Sequence, residues 1–168
     1  MSLRLKFGLT EVIRMSVELD ASVTAAVKSA LVEGDWVTIL SAGAVSGVPA
    51  SAGGVSLKVS PVASNATAGK KLSYALIVNP QSPENSVPGI GLTVACDRGF
   101  IGYTDRFDPG LGAAAYAANT PLAAHSFVVA GVTRYGLLPL VGADSTINSV
   151  VAYSLGILNG ELVFRYMP

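Results

Sequence analysis

The chain has 168 residues, enough for one domain with a sizeable core. Only 13% of its residues are charged, where soluble domains usually carry roughly 25%, and 11 basic and 11 acidic side chains cancel to a net charge of zero. No charged residue occurs in 36–57, 109–133 or 145–160. Because such a surface does not keep copies apart, the composition favours a protein that works in an assembly. It argues against a nucleic-acid partner, which would require a basic footprint.

Apolar residues make up 51% of the chain, but they are not concentrated in membrane spans. A spanning helix needs about 20 predominantly apolar residues. The best candidates, 36–57 and 109–133, are interrupted by serine, proline, asparagine or paired glycine, so no membrane partner is expected. Residues 1–7 have no apolar core behind their two basic side chains, and no secretory signal is expected. Since the lone Cys96 excludes an internal disulfide, the sequence predicts synthesis in a reducing cytoplasm.

The first part of the chain predicts an arm, a strand and a helix. Residues 1–10 are interpreted as an extended N-terminal arm. In 13–19 apolar and polar residues alternate with a period of two, which is typical of a half-buried strand. Residues 22–32 place apolar side chains at helical spacing behind Ser22, so one short helix is expected there.

The rest of the chain consists of short runs rich in β-branched and aromatic residues, bounded by glycine, proline, asparagine or serine. These runs are 36–40, 55–60, 72–78, 92–96, 100–104, 127–132, 150–155 and 162–167. They predict an all-β single domain, 1–168, built as a β-sandwich or β-barrel of about nine or ten short strands. Segments 41–54 and 62–69 are expected to be loops, and 113–119 a single helical turn or a loop.

The sequence offers little for catalysis. His125 is the single histidine, and no cysteine or histidine pair has the spacing of a zinc site. Residues 110–115 have the form of a dinucleotide fingerprint, but Pro109 precedes them and Pro121 ends any helix early. We therefore expect no enzyme, no cofactor and no metal. A small β-fold hydrolase that uses His125 with a distant serine and aspartate stays open as a minor alternative.

The densest polar segment is 97–108, where two Asp-Arg pairs flank an aromatic strand. An arginine guanidinium can bind a carboxylate through two parallel hydrogen bonds, so these charges are candidates for a specific contact between subunits. Local ion pairs that close a hairpin, or a weak carboxylate site for a cation, are the alternatives. The candidate interface residues are Asp97, Arg98, Asp105, Arg106 and Asp108.

Residues 32–40 read Val-Glu-Gly-Asp-Trp-Val-Thr-Ile-Leu and lead into a segment of glycine, alanine and serine. This resembles capsid decoration (cement) proteins of tailed bacteriophages, in which a glycine-acid turn precedes an early strand of a β-barrel. The glycine-rich later strands and the terminal strand 162–166 are similar too. The resemblance implies a β-rich protein without catalysis that binds the outer capsid lattice of the virion, commonly as a trimer. Its partners would be copies of itself and a major capsid protein.

Two other functions stay open. A tail-tube or other virion subunit would share the uncharged surface, because the centres of obligate interfaces are depleted in charge. A carbohydrate- or receptor-binding β module would instead bring several aromatic side chains together in one exposed groove.

Overall fold

The computed structural model describes residues 3–7, 14–44, 55–62, 73–79, 90–95, 100–140 and 150–166. They form two β-sheets and one short helix, so the expected all-β fold is confirmed. The helix α1 is Ala25–Ala30. The strands are β1 Leu3–Phe7, β2 Arg14–Leu19, β3 Trp36–Ala44, β4 Val55–Pro61, β5 Ser73–Asn79, β6 Ile90–Ala95, β7 Ile101–Thr104, β8 Pro121–Val129, β9 Val132–Pro139, β10 Ala152–Leu158 and β11 Glu161–Tyr166.

Strands β2 to β6 close into a barrel in the order β2-β4-β3-β5-β6. The pair β2–β4 is parallel, and the other neighbouring pairs are antiparallel. The alternation in β2 directs Val17 and Leu19 into the barrel core, as the period of two predicts. The intervening Glu18 is buried as well, which the pattern did not predict. Its carboxylate is paired with Lys58 on the adjacent β4, and a buried charge requires such a partner.

Helix α1 is shorter than the predicted segment 22–32 and begins after Thr24, whose hydroxyl accepts a hydrogen bond from the Val27 N–H. Ser22 does not cap the helix, because its N–H and hydroxyl both donate to the Asp20 carboxylate in the preceding turn. Leu31, just beyond the helix, is buried in the barrel core.

The second sheet has the order β1-β7-β11-β10-β8-β9 and is antiparallel throughout. Phe107, three residues after the end of β7, forms a bridge with Leu137 of β9 at the opposite side of the sheet. In a flat sheet β7 and β9 would lie about 19 Å apart, whereas the chain from Thr104 to Phe107 spans at most about 11 Å. The sheet must therefore curl back on itself.

The interior of the curled sheet is aromatic. The ring centroid of Phe100 lies 6.0 Å from Phe164 and 5.1 Å from Tyr166. A Cβ on Gly102 would lie 2.8 Å from Phe164 Cζ, so any larger residue would force that buried ring to shift. Trp36, the first residue of β3, enters this cluster at 5.3 Å from Tyr166. The barrel and the curled sheet thus share one part of their core.

Three sequence expectations are changed by the structure. The run 127–132, expected as one strand, is the tip of the β8–β9 hairpin, because Ala130 and Gly131 have φ angles of 51° and 78°. Both values fit a two-residue type I′ turn, which Ala-Gly signals less clearly than Asn-Gly. Within the predicted loop 41–54, residues 41–44 belong to β3, and 45–54 lie outside the described residues. In the predicted arm 1–10, Leu3–Phe7 pairs with β7 as a strand.

Two other expectations concern the segments 113–119 and 62–69. The segment 113–119 contains a single turn of 3₁₀-helix, Ala113–Tyr116, as expected. Of the predicted loop 62–69, the described residues include only Val62, which is buried against the aromatic cluster.

Candidate functional site

An ion pair joins the barrel to the curled sheet. Asp35 lies in the turn before β3, and Arg106 follows β7. The Arg106 Nε lies 3.4 Å from Asp35 Oδ1 and 3.6 Å from Asp105 Oδ1. The Asp35 side chain is 4% exposed and that of Arg106 16% exposed. These three residues, called the junction below, therefore connect two parts of one chain.

The sequence around Asp35 holds its carboxylate in place. The Val32 N–H donates to Asp35 Oδ2 at 2.9 Å, and the Asp35 N–H donates to the Val32 carbonyl oxygen. Gly34 provides the positive φ of 91° that the turn needs. Its N–H donates to Ile77 O of β5. The glycine-acid turn of residues 32–35 thus fixes Asp35 under the curled sheet and directs Trp36 into the shared core.

The junction is poorly solvated. Burial raises the pKa of Asp35 to about 6, although the Val32 N–H and the Arg106 guanidinium both pull it down; Asp105 adds to the rise, and Arg134 opposes it. Asp35 Oδ1 and Arg106 Nε are buried and have no hydrogen-bond partner among the described residues. The two charges are therefore close but not hydrogen bonded at these atoms. Removing both charges from water costs free energy, and the attraction between them offsets only part of that cost.

The structure places the candidate interface residues in different roles. Arg106 and Asp105 both belong to the junction, and the Asp105 side chain is 44% exposed although its Oδ1 is buried. Asp108 accepts a hydrogen bond from the Gly110 N–H at 2.8 Å and caps the 3₁₀ turn Pro109–Leu111. Its own N–H donates to the Tyr116 hydroxyl. Asp97 and Arg98 lie outside the described residues.

Asp35 is the junction residue that the sequence reasoning did not propose as a partner for Arg106. One signal was available. A carboxylate directly before the buried strand 36–40, in a chain with so few charges, needs a cation close in space. The sequence does not say which cation, because Arg106 is far away along the chain.

The described residues show no group of three or more His, Cys, Asp or Glu side chains that could hold a metal ion. His125 lies on β8 opposite Gly136 of β9 and is half-buried.

Among the residues that the structure describes, no helix is long and apolar enough to cross a membrane.

Most of the described aromatic rings are core residues. Trp36, Tyr116 and Tyr166 are fully buried. Phe107 packs edge-on against Tyr116, with their ring centroids 5.2 Å apart. Tyr153 is half-buried on β10. Most of these rings therefore stabilise the fold and do not line an exposed groove.

The β8–β9 hairpin carries the most exposed large apolar side chains among the described residues. Val128 is 64% exposed and Val132 59% exposed, on either side of the two-residue turn. A second hairpin, β10–β11, exposes Leu155 and Leu158. Residues 125–134 are called the hairpin arm below. An exposed apolar surface of this kind favours contact with another molecule.

Comparison with known proteins adds no relative: no family model, curated protein sequence or solved structure matches this chain.

Proposed function

We propose that this chain is a virion structural protein, a capsid decoration protein that binds the outer capsid lattice and stabilises it. One observation carries the proposal: a chain with 13% charged residues exposes Val128 and Val132 on a hairpin arm. In a protein that stayed alone in solution, such a hairpin would invite aggregation. Within a lattice, neighbouring subunits would cover it.

The distribution of charge supports the same function. Interface centres are depleted in charged residues, and specific polar contacts lie around them. In the described residues Arg106 is paired inside the chain, while the Asp105 side chain is 44% exposed and keeps part of its carboxylate accessible. We propose Asp105 as a polar contact to a neighbouring subunit, with Asp97 and Arg98 as further candidates. The protein would be made in the host cytoplasm and act on the capsid surface, without binding nucleic acid or membrane.

A subunit that forms its own lattice, such as a tail-tube protein, is the second candidate. The hairpin arm favours it too, because the exposed Val128 and Val132 can contact a copy of the same chain as well as a host lattice. The two functions differ in whether the chain polymerises alone. A decoration protein forms small closed oligomers, such as the trimer that the resemblance implies, whereas a tube protein forms open assemblies.

Co-sedimentation tests the proposal. Purified chain is mixed with expanded capsids of a phage that carries its gene, prepared without the protein. We expect saturable binding and a higher temperature of capsid disruption. Asp105→Asn is expected to weaken binding, while Glu161→Gln, a carboxylate change on the β10–β11 hairpin, serves as the matched control. A chain that stays in the supernatant would refute decoration, and tubes formed by the chain alone would favour the second candidate.

A further inference from the structure

The Arg106 guanidinium lies between two carboxylates that differ in their access to solvent. Its Nε is 3.4 Å from Asp35 Oδ1 and 3.6 Å from Asp105 Oδ1. The Asp35 side chain is 4% exposed, whereas that of Asp105 is 44% exposed although its Oδ1 is buried. Both distances exceed the roughly 2.7–2.9 Å of a charge-assisted hydrogen bond. At this atom the guanidinium is therefore attracted to both carboxylates and hydrogen bonded to neither.

The backbone on both sides of the pair is held in place. The Arg106 N–H donates to the hydroxyl of the buried Thr104 at 2.9 Å, and the next residue, Phe107, bridges to Leu137. Asp35 is fixed by the hydrogen bonds of its own turn. An arginine side chain has many rotamers. A change in the attraction between Asp35 and Arg106 is therefore expected to move the guanidinium and not the backbone.

The charged and titratable groups around Asp35 come from two parts of the curled sheet. Arg106 and Asp105 follow β7, and Arg134 and Tyr135 lie on β9. Burial raises the pKa of Tyr135 above its ordinary value of 10.0, and the charge of Asp35 adds to the rise, so this hydroxyl is neutral near neutral pH.

Two further elements adjoin Asp35. Its own turn contains Glu33, and β5, which bonds to the turn through Ile77, contains no charged residue. Because burial raises the pKa of Asp35 to about 6, this carboxylate changes charge between about pH 7 and pH 5. The balance of charge around Arg106 therefore changes in the same range.

We propose that the junction is a proton-controlled exchange of the Arg106 guanidinium between a buried and an exposed carboxylate. With Asp35 ionised, the guanidinium is shared by Asp35 and Asp105. A proton from water then binds at Asp35 Oδ1, because Oδ2 already accepts the Val32 N–H. The neutral carboxyl group no longer attracts the guanidinium, which turns wholly to Asp105.

This inference deepens the proposed function, and its consequence for capsid binding rests on that function. Asp105 is the proposed polar contact to a neighbouring subunit. When Arg106 turns wholly to Asp105, it competes with that subunit for the same carboxylate. Acidification is therefore expected to weaken capsid binding through Asp35, a positioning residue that itself touches no partner.

Nuclear magnetic resonance of the free chain tests the exchange without capsids. The assigned Nε–Hε resonance of Arg106 is followed from about pH 7.5 to about pH 5 in wild type and in Asp35→Asn. Asparagine keeps an oxygen for the Val32 N–H but does not titrate. We expect the wild-type resonance to shift with a midpoint near pH 6 and that of Asp35→Asn to stay constant. A wild-type resonance that does not move would overturn the proposal, whether or not the variant folds. An equal shift in Asp35→Asn would do the same.

Co-sedimentation with capsids at about pH 7 and about pH 5 tests the consequence. The affinity of wild type is divided by that of Asp35→Asn at each pH, because the titration of the capsid itself cancels in this ratio. We expect the ratio to be at least about threefold higher at the higher pH, which is within the range of one exposed ion pair. Histidine ordinarily changes charge in this range, so His125→Gln is the control, and it is expected to keep the wild-type pH dependence.

The two measurements separate this proposal from the proposed function. A moving Arg106 resonance together with a pH-dependent ratio supports both. A moving resonance with the same ratio at both pH values overturns the control of Asp105. A chain that binds no capsids at either pH overturns the proposed function and leaves the exchange to be judged by the resonance alone. Capsid binding with a constant Arg106 resonance overturns the exchange alone.

Discussion

The Leu137 N–H of β9 donates to the carbonyl oxygen of Arg106 at 2.8 Å, and this bond draws the two sides of the curled sheet together. Arg106 also pairs through its side chain with Asp35, which lies in the turn before barrel strand β3. One residue thus closes the sheet with its backbone and anchors the barrel with its guanidinium. The close approach depends on Gly136, since a Cβ there would overlap the Arg106 carbonyl oxygen and lie 2.6 Å from its carbonyl carbon.

Gly136→Ala is expected to destabilise the protein severely, by about 3 kcal/mol or more, because the overlapping atoms belong to backbone and cannot rotate away. Gly131→Ala is the matched control in the same hairpin. A Cβ there meets nothing within 4 Å, but φ is 78°, so only backbone strain of about 1–2 kcal/mol is expected. Urea denaturation followed by circular dichroism measures both. Equal costs for the two variants would show that β9 and Arg106 can move apart.

The stability that Asp35 contributes is expected to rise as the pH falls. Because burial raises its pKa from 3.8 to about 6, the folded chain holds a proton that the unfolded chain releases between these values. The charged carboxylate therefore costs the fold free energy above pH 6, and that cost is relieved as the pH falls towards 4. Relative to Asp35→Asn, wild type should gain up to about 3 kcal/mol over this window.

Asp20→Asn provides a control of opposite sign. Hydrogen bonds from Ser22 lower the pKa of Asp20, so its contribution to stability is present above the ordinary pKa and is lost as the pH falls. Unfolding free energies of wild type and both variants are measured from pH 7 down to about pH 3, because the Asp20 contribution falls only below its ordinary pKa of 3.8. A constant difference between wild type and Asp35→Asn would mean that Arg106 keeps the Asp35 pKa at its ordinary value.

The strands were predictable from local sequence where one face is buried and the other polar. In β2, Val17 and Leu19 alternate with polar residues, and the period of two was sufficient. The turn of the β8–β9 hairpin was missed because the run 127–132 contains no polar side chain, so the turn at Ala130 breaks no pattern. Alternation of apolar and polar residues marks a strand that has one buried and one exposed face. The tip of this hairpin has no such alternation, so its strands and turn cannot be told apart from the sequence.

The junction was only half predictable. The sequence shows Asp35 in a tight turn and Arg106 in a polar segment, each with a charge that needs a partner. Their pairing depends on the curl of the sheet, which follows from the long-range bridge between Phe107 and Leu137. A contact between residues so far apart along the chain comes from strand order, and strand order is not encoded in local spacing.

Trp36→Phe is expected to cost less than half as much stability as Trp36→Ala. The indole is fully buried, so truncation to alanine leaves a cavity and should cost about 3–5 kcal/mol. The indole Nε1 is buried without a hydrogen-bond partner among the described residues, and phenylalanine removes that unsatisfied donor. Far-ultraviolet circular dichroism during urea unfolding compares the variants. If Trp36→Phe were as costly as Trp36→Ala, the indole N–H would have a partner.

Asp105→Asn and Asp108→Ala are expected to separate a surface role from a structural one within the same segment. Asp108 caps a 3₁₀ turn through the Gly110 N–H, so its replacement should cost about 1 kcal/mol of unfolding free energy. The exposed Asp105 contacts Arg106 only at 3.6 Å, so Asp105→Asn should change stability by less than about 0.5 kcal/mol.

Binding to capsids is expected to show the reverse order, with Asp105→Asn binding more weakly than Asp108→Ala, because Asp105 is the proposed polar contact whereas the Asp108 carboxylate is engaged by the Gly110 N–H of its own turn. Parallel measurement of unfolding and co-sedimentation tests both halves of this expectation. Equal capsid binding by the two variants would remove Asp105 from the contact and leave the exposed apolar residues of the two hairpins to supply it.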